Sequence, residues 1–248
     1  MAWFRKLAAA AVLMVTAIAT PSAALLVQPV YMDMRYTGAQ SSAGLTVIND
    51  RNRPMTVEVT LNRIELPDEG APVFTPIEPD DFLIFPAVAT ISANGTQVFR
   101  VRWVGEPKAE GELYAFTTSE LPVEVETDAT AALQLLYAIQ TIVGIAPAGA
   151  QPDLSAESVV RGENADGVKG VRILFANAGN AHGQVTGGGI SVSSGSWTHR
   201  FTAEEVSGAV GLGLVRANGK RWMFLPLPSV PETGDLTVTA DIPRMTRG

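Results

Sequence analysis

Apolar side chains recur at every second position along most of this chain, and turn-forming residues break the alternation about every ten residues. A period of two belongs to extended strands, whose successive side chains point to opposite faces, and not to helices. In "TVEVTL" the side chains of Val57, Val59 and Leu61 share one face, with Thr56, Glu58 and Thr60 on the other. In "VFRVRW" Phe99, Val101 and Trp103 oppose Val98, Arg100 and Arg102. One side of such a strand faces a core and the other faces water. Between the strands lie "NDRNRP", "LPDEGAP", "TPIEPDD", "SANGT" and "GEPKAEG", dense in the Pro, Gly, Asn and Asp that turns demand. No segment before residue 150 combines helical periodicity with caps. Seven or so short antiparallel strands in about 120 residues predict an immunoglobulin-like sandwich.

At "APAGAQPDLSAES", residues 146 to 158, small residues and prolines replace the alternation, and a second β pattern follows from "ESVVRGE" through "KGVRILFANAG", "SWTHRFTAE" and "GDLTVTADIP". This divides the chain into a first domain over 25–147 and a smaller sandwich over 148–248. The run Gly187, Gly188 and Gly189 reads as a sharply bent strand. Asn49, Pro54, Asn177 and Asn180 mark strand ends, where Asn side chains cap turns.

The first 24 residues are of another kind. Arg5 and Lys6 precede the uncharged run "LAAAAVLMVTAIA", and Ser22 and Ala24 supply small residues at a cleavage site. This pattern is that of a secretory signal peptide cleaved near Ala24, and the run falls short of the roughly 20 residues that span a bilayer. Removing it takes away two basic and no acidic residues, which leaves 16 basic against 25 acidic groups, a net of −9. So acidic a chain is a poor partner for nucleic acid or for an anionic membrane surface. There is no cysteine, so an exported chain is stabilised by burial alone, and thiol chemistry and Cys-ligated metals are excluded.

Little in the sequence offers catalysis. The two histidines, His182 and His199, sit in no ligand spacing, and His182 reads as a hydrogen-bonded structural residue in the turn-like "NAGNAHG". No nucleophile elbow, P-loop or dinucleotide fingerprint is present, and "GLGLVRANG" reads as strand and turn. Adjacent acids such as Asp80 with Asp81 and Glu204 with Glu205 read as solvated surface. An enzyme is not expected, and neither is a cofactor or a metal.

The stretch "TAALQLLYAIQTIVGIAP", residues 130 to 147, is the exception to the ordinary pattern. Ala131, Leu133, Leu135, Tyr137, Ile139, Thr141, Val143 and Ile145 form one row, and the opposite row is mixed and partly polar. Gln134, Gln140 and Gly144 argue against a membrane span, and the period argues against an amphipathic helix. As a strand of about 14 residues it is unusually long. Two destinations stay open for it: burial within its own domain, or a sheet edge, where a long apolar strand is a hazard unless it has a partner.

Six motifs in order, "LLVQPVYMDM", "LTVINDRNRPMTVEV", "TQVFRVRW", "LYAFTTSELP", the ribbon ending in Pro147, and "NAGNAH", give the chain a resemblance to the periplasmic pilus chaperones of chaperone-usher pathways. Within them it is most similar to the archaic, spore-coat-like branch. The resemblance implies an all-β chain with two immunoglobulin-like β-sandwich domains in tandem, set at an angle. It also implies a periplasmic chaperone that binds fimbrial subunits by donor-strand complementation, lending its own strand to a fold that lacks one, and hands them to an outer-membrane usher.

Counting back from Pro147, the donor side chains implied are Leu133, Leu135 and Tyr137, with Ile139 continuing the row. Four such side chains bury enough apolar surface for roughly 6 to 12 kcal/mol before association costs. The family's basic pair, which holds the subunit's C-terminal carboxylate in the cleft between domains, falls on Tyr31 and Ile142, neither of which neutralises an anion. Tyr31 can still donate one hydrogen bond, and Arg35 and Arg172 are candidate substitutes. A secreted structural or adhesive β-sandwich protein is the alternative, and self-association of the free protein stays open.

Overall fold

The computed structural model describes residues 25–78, 80–122 and 136–242. The first ten strands are β1 (Leu25–Gln28), β2 (Tyr31–Arg35), β3 (Ser42–Asn49), β4 (Met55–Glu65), β5 (Val73–Pro76), β6 (Phe82–Phe85), β7 (Val88–Ile91), β8 (Thr96–Trp103), β9 (Glu112–Glu120) and β10 (Ala138–Ala146). They make two sheets, one ordered β1-β3-β8-β6 and the other β2-β10-β9-β4-β5, with β7 also on β4. The anticipated faces hold. Val57, Val59, Leu61, Phe99, Val101 and Trp103 are all buried between the sheets, whereas Val98 is exposed. Phe82 sits at the centre, edge-on to Trp103, Tyr114 and Phe116, the geometry that aromatic quadrupoles favour.

The single segment "LLVQPVYMDM" divides between the sheets. β1 pairs antiparallel with β3, and after Pro29 and Val30 the chain crosses over so that β2 pairs parallel with β10. Proline cannot donate to a ladder, so a strand that changes sheet breaks naturally there. Asn49 caps the β3–β4 turn from a fully buried position: its Nδ2 donates to the carbonyls of Arg53, Ile91 and Ser92, and its Oδ1 accepts from the Arg51 amide.

The second set comprises β11 (Leu154–Glu163), β12 (Lys169–Asn177), β13 (Gly183–Gln184), β14 (Gly189–Ser194), β15 (Trp197–Phe201), β16 (Leu214–Val215), β17 (Gly219–Pro226) and β18 (Thr237–Asp241), with one helix, α1 (Ala203–Val210), between β15 and β16. The sheets run β11-β12-β17, β13-β16 and β15-β14-β18, around a core that includes Val171, Ile173, Phe175, Ile190 and Leu225. Among the described residues no strand pair joins this set to the first.

Two local expectations change. "RFTAE" does not continue as strand, because Thr202 and Glu205 form a capping box in which each satisfies a backbone amide of the other, and this starts α1. The triple glycine is not a bent strand but the end of a 3₁₀ turn, Val185–Gly187, followed by β14 from Gly189.

Candidate functional site

β10 lies between different neighbours along its length, and this difference defines the site. Its whole run pairs antiparallel with β9, from Ala138 opposite Ser119 to Ile145 opposite Glu112. On its other side β2 pairs only from Ile142, opposite Tyr31, to Ala146, opposite Arg35. Over Ala138–Thr141 no described strand occupies that second side.

Hydrogen-bond phase shows which groups face the open side. The Glu120 amide donates to the Tyr137 carbonyl, and the Ile142 amide, five residues along, donates away from β9 to the Val30 carbonyl. Antiparallel ladders alternate strictly, so Tyr137, Ile139 and Thr141 spend their backbone groups on β9. Those of Ala138 and Gln140 point to the open edge.

The side chains divide in the same way. Val143 and Ile145, sandwiched by β2 and β9, are completely buried in the core. Tyr137 and Ile139 continue their row, half-buried, and touch the same core from the edge. Leu136, two residues before β10 begins, is 48% exposed. The ribbon therefore has both destinations: its C-terminal half is core, and the described part of its N-terminal half is edge. The predicted donor residues Leu133 and Leu135 lie outside the described residues.

A buried ion pair lies beneath the start of this edge. Arg51 Nη1 and Glu120 Oε1 are 2.6 Å apart, both side chains less than one-tenth exposed, and the Arg51 guanidinium lies 5.1 Å from the centre of the Tyr137 ring. Together with the Glu120 amide, this holds Tyr137 from two sides.

At the other end of β10 the two sandwiches meet. Tyr31 and Ile142 face the second sandwich, as half-buried members of a cluster of Ile64, Leu66, Leu113 and Ala115 with Leu214 across the cleft. The Tyr31 hydroxyl is 2.5 Å from His182 Nε2, and Asp33 Oδ1 is 3.3 Å from the same nitrogen. His182 is fully buried, so the expected hydrogen-bonded structural histidine is borne out, and its partners belong to the other sandwich. Among the described residues no group of His, Cys, Asp and Glu could hold a metal ion.

The two candidate substitute cations have partners of their own. Arg35 is buried, with Nη1 donating to the Met34 carbonyl and lying 4.0 Å from Asp33. Arg172 pairs with Glu69 at 2.5 Å and lies over the Trp222 ring. The cleft also holds a guanidinium that the sequence reading did not single out, that of Arg221, in the unremarkable "GKRW".

Nearby, burial pushes the Glu112 carboxyl up, but hydrogen bonds from Lys108 and Tyr114 and the charges of Lys108 and Arg63 outweigh it and hold the group below its ordinary value. Burial and the Glu112 carboxylate push the Tyr114 hydroxyl well above the ordinary phenol range.

Comparison with known proteins follows this geometry. Residues 27–151 match the family described as pili and flagellar-assembly chaperone, PapD N-terminal domain. Among solved structures the chain is similar to the class 5 fimbriae chaperone CfaA, with a TM-score of 0.54 at 12% identity over 89% of this chain and 100% of that one. It is also similar to the CsuC–CsuE chaperone–tip adhesion subunit pre-assembly complex from archaic chaperone-usher Csu pili of Acinetobacter baumannii, with a TM-score of 0.52 at 14% identity over 87% and 98%. A third likeness is to the Salmonella enterica SafA pilin in complex with the SafB chaperone, with a TM-score of 0.52 at 16% identity over 90% and 98%. These likenesses concern the fold, two immunoglobulin-like sandwiches in tandem. No curated protein matches the chain.

Proposed function

The chain belongs to the pili and flagellar-assembly chaperones, which are not enzymes, and from that premise we propose that it captures fimbrial subunits in the periplasm by lending them the free edge of β10. The observation that carries this reading is the open side of Ala138–Thr141, where the backbone groups of Ala138 and Gln140 face outward. A subunit strand laid there completes its ladder on those groups, while Tyr137 and Ile139, with Leu133 and Leu135 before them, fill the groove of a sandwich that lacks a strand. Because Tyr137 and Ile139 are already half-buried in their own core, each contributes less than a fully exposed side chain would, so capture stays reversible by strand exchange.

Delivery of the captured subunit to an outer-membrane usher belongs to the same proposal, as does membership of the archaic branch. Complexes of similarly folded chaperones with a tip adhesion subunit and a pilin support a pilus subunit as the partner. Export by residues 1–24, with domains over 25–147 and 148–248, completes the reading. No helix among the described residues is long and apolar enough to cross a membrane.

Co-expression with a β-rich subunit encoded beside the gene tests the proposal. The subunit is expected to stay soluble and co-purify with the chain one to one. Aggregation of the subunit regardless of the chain's presence overturns the reading.

A further inference from the structure

The turn between β4 and β5, residues 66–72, reaches out of its own sandwich and holds the other. The Asp68 carbonyl accepts from the Trp222 amide at 2.7 Å, and the Asp68 carboxylate lies 3.2 Å from Arg216 Nη2. Glu69 pairs with Arg172, and the Gly70 carbonyl accepts from Arg221 Nη2 at 3.3 Å. Three consecutive residues therefore engage three arginines and one strand amide of the second sandwich. The local sequence suits this task. Asp68 and Glu69 set two carboxylates side by side, and Gly70, at φ +96°, takes a left-handed conformation that a β-carbon disfavours. Trp222 lies on β17, an edge strand of its sheet, and its amide needs a partner from beyond that sheet.

The position of this attachment gives it leverage. The chain enters the second sandwich from β10, whereas the turn leaves from β4, two strands away in the same sheet. Two domains joined by one connection pivot freely unless a large apolar interface binds them, and a second attachment away from the first removes that freedom. Beside the linker the Gly111 amide donates to the Asn180 carbonyl at 2.8 Å, and His182 enters the space over Gly144. Between the linker and the turn lies a cavity of about 450 Å³. Leu66 and Pro72 of the turn form part of its wall, with Ile142, Leu212, Trp222 and Phe224 around them. Lifting the turn brings these apolar walls into contact with water.

The attachment is also of a kind that opens. The Asp68 and Glu69 side chains are 59% and 67% exposed, and ion pairs this exposed are weak and screened by salt. The contacts beside the linker rest instead on a fully buried ring and a backbone bond. We propose that residues 66–72 are an ionic strap. Closed, it fixes the second sandwich against the first and covers the apolar cavity; opened by salt, it lets the second sandwich pivot about the linker side.

The chain has no cysteine, so Ala93→Cys and Ser196→Cys, at exposed turn positions of the two sandwiches, take a pair of spin labels at defined places. Double electron–electron resonance then reads the distances between the sandwiches. At about 10 mM salt the labelled protein is expected to give one narrow distribution. At about 1 M salt, where the Debye length has fallen from roughly 30 Å to roughly 3 Å, the distribution should about double in width. Asp68→Asn combined with Glu69→Gln keeps the size of both side chains and removes their charge. With circular dichroism confirming that both sandwiches stay folded, this variant should show the broad distribution already at low salt and lose the salt dependence. A distribution as narrow as the parent's in that variant overturns the strap. A parent distribution that salt leaves unchanged overturns its ionic release, and this arm needs no variant of the strap itself.

Discussion

The imidazole of His182 stands where a β-carbon on Gly144 would be. The glycine in β10 thus admits a fully buried ring from the other sandwich and lets it reach Tyr31 and Asp33 on the neighbouring strand. Gly144→Ala must push the ring away, in a setting too tightly packed to relax freely. It is expected to cost about 1–3 kcal/mol in denaturant unfolding, the usual penalty of overpacking. Small-angle scattering should show the two sandwiches no longer held in one arrangement, whereas unchanged stability and scattering would mean that the contact does not hold them together.

Arg51 and Glu120 form a pair almost closed to water. Removing one partner strands the other charge, so Glu120→Ala is expected to lose about 3–5 kcal/mol, and the double change to apolar residues of similar size much less. Urea denaturation of the three variants measures both. Because the pair underlies Tyr137, Glu120→Ala should also weaken client capture more than its effect on global stability explains.

Glu112 accepts from Lys108, Tyr114 and Arg63, and its carboxyl is held below the ordinary value. In the unfolded chain it takes up a proton more readily than in the folded one. The stability it adds is therefore complete above the ordinary carboxylate pKa and is lost as pH falls through its lower folded value. Unfolding free energy measured between about pH 5 and pH 3 should fall more steeply for the parent than for Glu112→Gln. Identical slopes would show that the three hydrogen bonds do not favour the charged form.

The period-two pattern made the sandwich faces legible residue by residue, as at Val57, Val59, Leu61 and Phe99, because burial on one side of a strand leaves its mark in local sequence. Where β10 changes from core to edge was not legible. That point depends on β2 starting to pair at Tyr31, more than a hundred residues away in the chain, and within the row Ile139 before Thr141 and Val143 after it are equally apolar. His182 was readable as a structural residue, but its partners Tyr31 and Asp33 come from the other sandwich and leave no local trace. Arg221 went unnoticed because what distinguishes it is the lack of a carboxylate nearby, a property of three dimensions. The helix α1 was legible in principle, since Thr202 and Glu205 spell a capping box, but the short run after it is too weakly periodic to draw attention.

Ile139, packed against the core from β10, and Leu136, exposed two residues before β10 begins, separate capture from general stickiness. Ile139→Asp is expected to weaken binding of a β-rich subunit at least 100-fold, about 2.7 kcal/mol, while the free protein still melts cooperatively. Leu136→Asp, at an exposed position outside the strand, should change affinity less than fivefold. Pull-down titration of both variants against one subunit checks the ranking, and equal effects would contradict the role given to Ile139.

Amide hydrogen exchange at Ala138 and Gln140, resolved by NMR with and without a bound subunit, tests the edge most directly. In the free protein these two amides should exchange quickly while that of Ile139, bonded to β9, is protected; on binding, all three should be protected. Fast exchange at Ala138 and Gln140 in a complex that is otherwise fully formed would contradict the account.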